Sequence, residues 1–132
     1  MSVFIDTSAF LALLDADEQH HPAVRSAWER TLNAEEPLFS TNYVLVETLS
    51  LLQNRIGMNA VRLFHEDVLP VITVLWIDQA VHQAAAGALL AASRKSLSLV
   101  DCSSFEVMRR HGIKRAFTLD RHFREQGFSC EP

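Results

Sequence analysis

Short apolar runs alternate along the chain with longer stretches in which apolar positions recur every three to four residues. The runs are rich in β-branched and aromatic residues, which is typical of strands. They are Val3–Ile5, Leu38–Thr41, Val71–Ile77, Lys114–Leu119 and a last one near Phe128–Cys130. The longer stretches have the period of helices with one buried face. This alternation predicts an α/β fold with a central parallel sheet of four to five strands and helices on both faces.

Helix boundaries are indicated by capping and helix-breaking residues. Pro22 suits the first position of a helix, Thr41 or Asn42 can cap the next one, and Gly57 suits its end. The predicted helices are Phe10–Leu14, His21 to about Leu32, Tyr43 to about Ile56, about Val61–Leu69, a helix capped by Asp78 that ends near Arg94, and Asp101–Arg110, with a short turn at His122 and Phe123. Since no linker or repeat separates these elements, residues 1–132 are expected to form a single domain.

Composition narrows the class of protein. The chain has 132 residues, is 48% hydrophobic and holds four glycines and four prolines, so a compact fold is expected. No apolar run approaches the roughly 20 residues that cross a bilayer, and the N-terminus lacks the features of a secretory signal. Cys102 and Cys130 fit neither a disulfide framework nor a zinc cluster. The expected location is cytoplasmic, with no membrane partner.

Charge is unevenly distributed. The net charge of −4 by itself disfavours nucleic-acid binding. However, residues 1–93 hold eleven acids and four bases, whereas residues 94–132 hold eight bases and five acids. Ten of the twelve bases are arginines, which bind phosphate oxygens in a bidentate manner. The C-terminal third therefore carries either a solvated helix face or a phosphate-binding surface.

Three aspartates occupy positions where elements begin or end. Asp6 follows the first strand, Asp120 follows the strand that closes at Leu119, and Asp101 is predicted to open a helix. Asp101 and Asp120 could each simply cap a helix. If the first and fourth strands are neighbours, Asp6 and Asp120 meet at one edge of the sheet, where α/β proteins bind ligands. Because clustered carboxylates repel one another, such an arrangement implies a bound cation.

Glu47 is the only charged residue across 42–54, and its neighbours one helical turn away are mostly apolar. Leaving an ionised carboxylate unpaired there is costly, so a metal or an arginine should meet it unless the helix turns it to solvent. The four acids all offer hard oxygen ligands, with no Cys or His at a ligand spacing, which favours Mg²⁺ or Mn²⁺ over zinc. Such ions polarise phosphates and activate water, so phosphodiester or phosphoryl transfer is the expected chemistry.

Four short motifs occur in order along the chain: Asp6-Thr7-Ser8, Glu47 in Asn-Tyr-Val-Leu-Val-Glu-Thr, Asp101 in Ser-Leu-Val-Asp-Cys-Ser-Ser-Phe, and Asp120 in Phe-Thr-Leu-Asp-Arg-His-Phe. This ordered set resembles the PIN-domain nucleases, and within them the VapC-type toxins, over essentially the whole chain. The resemblance implies a PIN-like fold and an endoribonuclease dependent on Mg²⁺ or Mn²⁺. It implies that Asp6, Glu47, Asp101 and Asp120 are the catalytic, metal-binding residues. It also implies an RNA substrate, a homodimer and, for the toxin of a toxin–antitoxin pair, inhibition by a small antitoxin protein.

The same resemblance places Ser8 and Thr118 where the family often has a hydroxyl near the site. The chain departs from the family at His122, where many members have a further Asp or Asn two residues after the fourth acid. This departure bears on whether a second metal binds well, and it does not affect the four acids of the principal cluster. His122 lies beside Arg121 and is interpreted as a surface histidine rather than a contact to a scissile phosphate.

Two smaller predictions concern residues away from the acids. Cys102 is expected to be a buried small hydrophobe, because no base beside it in the sequence would activate its thiol. Trp28 and Trp76 lie on apolar faces and are expected in the core.

Two other hypotheses are compatible with the sequence. One is a nucleic-acid-binding or regulatory module on the same fold with little or no turnover, in line with the His122 departure and the acidic net charge. The other is a phosphoryl-transfer domain with Asp6 as nucleophile. Such a domain usually needs a second acid beside the nucleophile and a lysine partner, and the only lysines are Lys95 and Lys114.

Overall fold

Five short strands form the centre of the fold in the computed structural model, which describes residues 1–132. They are β1 (Val3–Ile5), β2 (Leu38–Thr41), β3 (Thr73–Leu75), β4 (Arg115–Phe117) and β5 (Ser129–Glu131). Their order in the sheet is β3-β2-β1-β4-β5, and every neighbouring pair is parallel. The predicted α/β fold with a parallel sheet is confirmed, and the first strand lies beside the fourth.

The strand order reverses between β1 and β4. Phe4 of β1 pairs with Phe39 of β2 on one side and with Ala116 of β4 on the other. The chain runs from β1 outward to β2 and β3, and from β4 outward to β5 in the opposite direction. Such a reversal opens a crevice at the carboxyl ends of the two central strands, which is where parallel α/β sheets bind their ligands.

Seven α-helices surround the sheet: α1 (Thr7–Leu14), α2 (His21–Asn33), α3 (Asn42–Arg55), α4 (Met58–Leu63), α5 (Gln79–Ala92), α6 (Leu99–Arg110) and α7 (Arg121–Glu125). The predicted caps of two of them are confirmed. Thr41 accepts the backbone N–H of Val44 at the start of α3, and Asp78 accepts that of Val81 at the start of α5. No helix has both the length and the apolar character that crossing a bilayer requires.

Phenylalanine side chains dominate the core around the two central strands. Phe4, Phe117 and Phe123 are fully buried, and the ring of Phe10 packs edge-on against that of Phe64 at 5.0 Å between centroids. Burying each of these rings contributes roughly 1.5–3 kcal/mol. The core therefore holds β1 and β4 together directly beneath the crevice.

Strand β3 is shorter than predicted. The pattern predicts a strand over Val71–Ile77, but only Thr73–Leu75 pairs with β2, because a 3₁₀ turn over Leu69–Val71 precedes it. β3 is an edge strand and the chain leaves the sheet after Leu75. The prediction that Trp76 belongs to the core is therefore wrong, since its exposed fraction is 75%. An apolar run alone does not distinguish an edge strand from a central one.

An ion-pair network joins three segments near the start of β4. Arg115 pairs with Glu36, in the loop before β2, and with Glu131 of β5 at 2.6 Å. The hydrogen bond from Arg115 lowers the pKa of the Glu36 carboxyl. Because two carboxylates engage its guanidinium, Arg115 stabilises the sheet and is not one of the arginines free to meet a phosphate.

Candidate metal centre

Asp6 follows β1 and stands at the N-cap of α1, but its carboxylate does not cap that helix. The hydroxyls of Ser8 and Thr118 both donate to its Oδ2, over 2.9 and 3.0 Å respectively. No side chain donates to its Oδ1. Hydroxyl donors therefore hold one carboxylate oxygen of Asp6, and no side chain of the protein occupies the other.

Ser8 and Thr118 connect the loops that follow β1 and β4. Both hydroxyl protons are directed at Asp6, and both hydroxyl oxygens accept backbone N–H groups at 2.9 Å, Ser8 from Leu119 and Thr118 from Asp120. The pair thus fixes the Asp6 carboxylate relative to the backbone of Asp120. The structure places both hydroxyls against the predicted site.

Asp101 lies in the first turn of α6 rather than at its start. α6 begins at Leu99, and Ser98 is its cap. The Ser98 hydroxyl accepts the backbone N–H of Asp101 at 3.0 Å, and Asp101 Oδ2 accepts that of Ser98 at 3.1 Å. The predicted helix start at Asp101 is wrong by two residues, because Ser98 is an equally good cap and comes first. The capping box holds the Asp101 carboxylate in place through one oxygen.

Burial, with a smaller effect of neighbouring carboxylates, raises the pKa of Asp6 and of Asp101. Burial raises the pKa of Asp6 to about 6, and the charge of Asp101 adds to the increase. Burial also raises the pKa of Asp101, and the charge of Asp120 adds to that increase. Desolvated carboxylates that repel one another are stabilised by a cation placed among them. When these carboxylates are ionised, a bound cation is therefore needed to balance their charge.

Asp120 follows β4 and caps α7, since its Oδ1 accepts the backbone N–H of His122 at 2.9 Å. The imidazole of His122 lies on the same side, with Nδ1 2.8 Å from Asp120 Oδ1 and 3.9 Å from Asp101 Oδ2. One ligand atom from each of Asp101, Asp120 and His122 lies within 4.8 Å of the other two. These three residues could hold a divalent cation, whereas the predicted ligands Asp6 and Glu47 lie outside this cluster, with Asp6 near enough for the charge of Asp101 to act on it.

The interpretation of His122 as a surface histidine is wrong. Its exposed fraction is 7%, because α7 buries His122 and Phe123 while Arg121 and Arg124 face solvent. The arginines on either side of His122 led to the prediction of an exposed turn. Phe123 was the residue in the sequence that indicated burial, because its apolar side chain requires the short helix to bury one face.

Glu47 approaches the site from α3 and is half-buried. It lines a groove together with Leu99 and Val100, the two residues that precede Asp101. It makes no ion pair and no side-chain hydrogen bond, so the arginine partner considered from the sequence is not present. Its carboxylate is thus free, beside the helical turn that carries Asp101.

Basic side chains border the cleft next to Asp120. The cleft is lined by Thr118, Asp120, Arg121 and Arg124, among others. Arg124 makes no ion pair, and Arg121 has only a distant and exposed one with Glu125 at 3.8 Å. Elsewhere in the C-terminal third, Arg94 and Arg110 pair with carboxylates. Arg121 and Arg124 therefore place positive charge that can meet an anion beside the carboxylates.

The comparisons with known proteins agree with this geometry. A family model described as PIN domain matches residues 3–129. The 23S rRNA-specific endonuclease VapC20 of Mycobacterium tuberculosis is 32% identical over 129 residues, which cover 96% of this chain and 95% of that protein. The crystal structure of VapC20, described as a Sarcin-Ricin loop cleaving toxin, superposes with a TM-score of 0.84 at 31% identity and covers 96% of this chain and 95% of its own.

Two more distant structures share the fold. FitAcB from Neisseria gonorrhoeae has a TM-score of 0.67 at 16% identity and covers 98% of this chain and 96% of its own. VapBC2 from Rickettsia felis, bound to a promoter DNA fragment, has a TM-score of 0.73 at 10% identity and covers 99% and 98%. Since the family match spans nearly all of the sequence and VapC20 is more than 30% identical, the chain belongs to the PIN domain family.

Proposed function

We propose that residues 1–132 act as one PIN-like domain, an endoribonuclease that hydrolyses RNA phosphodiester bonds with Mg²⁺ or Mn²⁺ as cofactor. The observation that carries the proposal is that ligand atoms of Asp101, Asp120 and His122 lie within 4.8 Å of one another, while Thr118 hydrogen-bonds both the Asp6 carboxylate and the backbone N–H of Asp120. The activity of VapC20 on 23S rRNA supports RNA as the substrate class.

In this proposal Asp6, Asp101 and Asp120 hold the metal, and Glu47 contributes from α3. The raised pKa values of Asp6 and Asp101 support this assignment, because their ionised forms need a neutralising partner. A divalent ion at such a site supplies polarisation of the scissile phosphate and activation of the attacking water. The hydroxyls of Ser8 and Thr118 keep Asp6 in one orientation.

Arg121 and Arg124 are proposed to hold RNA phosphates that flank the scissile bond. Both side chains are exposed and border the cleft next to Asp120. Phosphate contacts of this kind position a nucleic acid without specifying its sequence. They also explain how a chain with a net charge of −4 can bind a polyanion, since Arg121 and Arg124 place positive charge beside the proposed site.

We further propose that the chain is the toxin of a toxin–antitoxin pair, that it acts in the cytoplasm as a homodimer, and that a small antitoxin protein inhibits it. The description of VapC20 as a toxin supports this assignment. A small DNA-binding protein encoded by the neighbouring reading frame, which suppresses cleavage when co-purified, is the expected finding. Light scattering after size-exclusion chromatography is expected to give the mass of two chains.

The experiment that tests the activity compares three preparations on RNA that includes the sarcin–ricin loop of 23S rRNA. They are the wild type with Mn²⁺, the wild type with chelator, and Asp6→Asn with Mn²⁺. Cleavage is expected in the first preparation alone, and equal cleavage in all three would contradict the proposal. Tight RNA binding without cleavage at high protein concentration would instead support the alternative hypothesis of a nucleic-acid-binding module with little or no turnover.

The phosphoryl-transfer hypothesis lacks a structural basis. Lys95 and Lys114 are both exposed, and neither forms an ion pair with Asp6. Beryllofluoride is therefore not expected to bind at Asp6.

A further inference from the structure

The imidazole of His122 is buried at the metal centre and lacks a hydrogen-bond partner on one side. Its side chain is 9% exposed, and Nδ1 has no partner in hydrogen-bonding geometry. Nδ1 lies only 2.8 Å from Asp120 Oδ1, yet a proton on this nitrogen would not point at that oxygen. Buried polar atoms are nearly always satisfied, so this one calls for an explanation.

The other ring nitrogen has a hydrogen-bond partner. Nε2 lies 3.4 Å from the Ser96 hydroxyl, which can accept the proton when Nε2 carries it. In that tautomer Nδ1 carries a lone pair beside the oxygens of Asp120 and Asp101, which lie 2.8 and 3.9 Å away, and this lone pair is not aimed at Asp120 Oδ1. A divalent cation among these atoms would accept the lone pair and neutralise the carboxylate charges.

The alternative tautomer is less compatible with the geometry. A proton on Nδ1 would have no acceptor in line, and Asp120 Oδ1 already accepts the backbone N–H of His122 at 2.9 Å. Histidines that ligate metals characteristically donate their other ring N–H to an oxygen of the protein, which fixes the ring and the tautomer. The contact between Nε2 and Ser96 has this arrangement.

We propose that Nδ1 of His122 is a direct ligand of the divalent ion held by Asp101 and Asp120. Imidazole nitrogen suits first-row transition ions, whereas carboxylate and water oxygens suit Mg²⁺. His122 therefore gives the site a preference for Mn²⁺ over Mg²⁺, and Ser96 is the positioning residue that orients the ring. This inference rests on the proposed metal centre and adds to it a ligand that was not among the four predicted acids.

The test is electron spin echo envelope modulation of Mn²⁺ bound to the full chain, which detects nitrogen bonded directly to the ion. The wild type is expected to show ¹⁴N modulation that is replaced by a ¹⁵N pattern when the protein carries ¹⁵N-histidine. His122→Gln is expected to lose the modulation, and His111→Gln, at an exposed position, is the matched control that retains it. In calorimetric titrations, His122→Gln is expected to weaken Mn²⁺ binding at least tenfold and Mg²⁺ binding less.

Absence of nitrogen modulation in the Mn²⁺-saturated wild type would overturn the inference, and this measurement requires no variant to fold. Modulation that persists in a folded His122→Gln protein would overturn it as well. The two proposals fail separately. RNA cleavage without nitrogen modulation would leave the nuclease function standing and remove His122 from the metal, whereas modulation without RNA cleavage would do the reverse.

Discussion

Thr118 donates a hydrogen bond to Oδ2 of Asp6 over 3.0 Å, although the two residues are 112 positions apart in the chain. The bond joins the end of β1 to the end of β4, and Thr118 also accepts the backbone N–H of Asp120 at 2.9 Å. The Thr118 hydroxyl therefore fixes the position of the Asp6 carboxylate relative to the backbone of Asp120. The geometry of the site depends on the pairing of these strands rather than on any local motif.

Thr118→Val is expected to impair both stability and cleavage. Valine has nearly the same shape but leaves Asp6 without one donor and the N–H of Asp120 without its acceptor, a loss of about 1–3 kcal/mol in the free energy of unfolding. RNA cleavage should fall at least tenfold because Asp6 is no longer fixed. Urea unfolding and cleavage rates measure the two effects. Thr73→Val, at an exposed position of the edge strand, is the control that should change neither.

The raised pKa of Asp6 predicts that the metal-free protein loses stability as the pH rises from 4 to 6. In this range the folded protein keeps a proton that the unfolded chain releases, so the free energy of unfolding falls with pH. The change from 3.8 to about 6 corresponds to roughly 3 kcal/mol. Asp6→Asn should remove this loss and be more stable than the wild type at pH 7.5, but not at pH 4.

Urea unfolding in the presence of chelator at the two pH values provides the measurement. Asp67→Asn, at an exposed position, is the matched control and should follow the wild type. If Asp6→Asn and the wild type show the same dependence on pH, the Asp6 carboxyl is not desolvated as the structure indicates.

Glu47→Gln should separate catalysis from stability. Glu47 makes no ion pair and no side-chain hydrogen bond, so its replacement should change the free energy of unfolding by less than about 0.5 kcal/mol. RNA cleavage should nevertheless fall at least tenfold, because a neutral amide is a poorer ligand for Mg²⁺ or Mn²⁺ than a carboxylate. Glu66→Gln, at an exposed position that also lacks an ion pair, is the control. Full cleavage by Glu47→Gln would show that Glu47 is not needed at the metal site.

Arg115→Met should lower stability and leave metal binding unchanged. It leaves Glu36 and Glu131 without their shared partner near the start of β4, which should lower the free energy of unfolding by about 1–3 kcal/mol. The affinity for Mn²⁺ should stay within twofold of the wild type. Arg25→Met removes an exposed pair with Glu29 and should cost less than about 1 kcal/mol. Loss of Mn²⁺ binding in Arg115→Met would show that this network supports the metal centre.

The sequence predicts the parallel sheet and most helices because their signals are local. Alternating apolar runs, the caps Thr41 and Asp78, and the position of Asp6 after a buried strand are all visible in short windows. Trp76 and His122 were misplaced because burial depends on which strand lies at an edge and on which way a short helix turns. These are properties of the assembled fold, and no window of the chain contains them.

Within the site, too, some features can be predicted from a short stretch of sequence and others depend on the assembled fold. Each acid could be named from its own motif, but the hydroxyls that orient Asp6 acquire their role only when β1 and β4 pair. Ser98 illustrates a local ambiguity, since two good capping residues stand three positions apart and only the packed helix selects one of them.

Anomalous diffraction from crystals of the wild-type protein grown with Mn²⁺ would locate the proposed metal site. A manganese peak is expected in contact with carboxylate oxygens of Asp6, Asp101 and Asp120, at the carboxyl ends of β1 and β4. Manganese bound elsewhere, or no peak at this site under saturating Mn²⁺, would contradict this expectation.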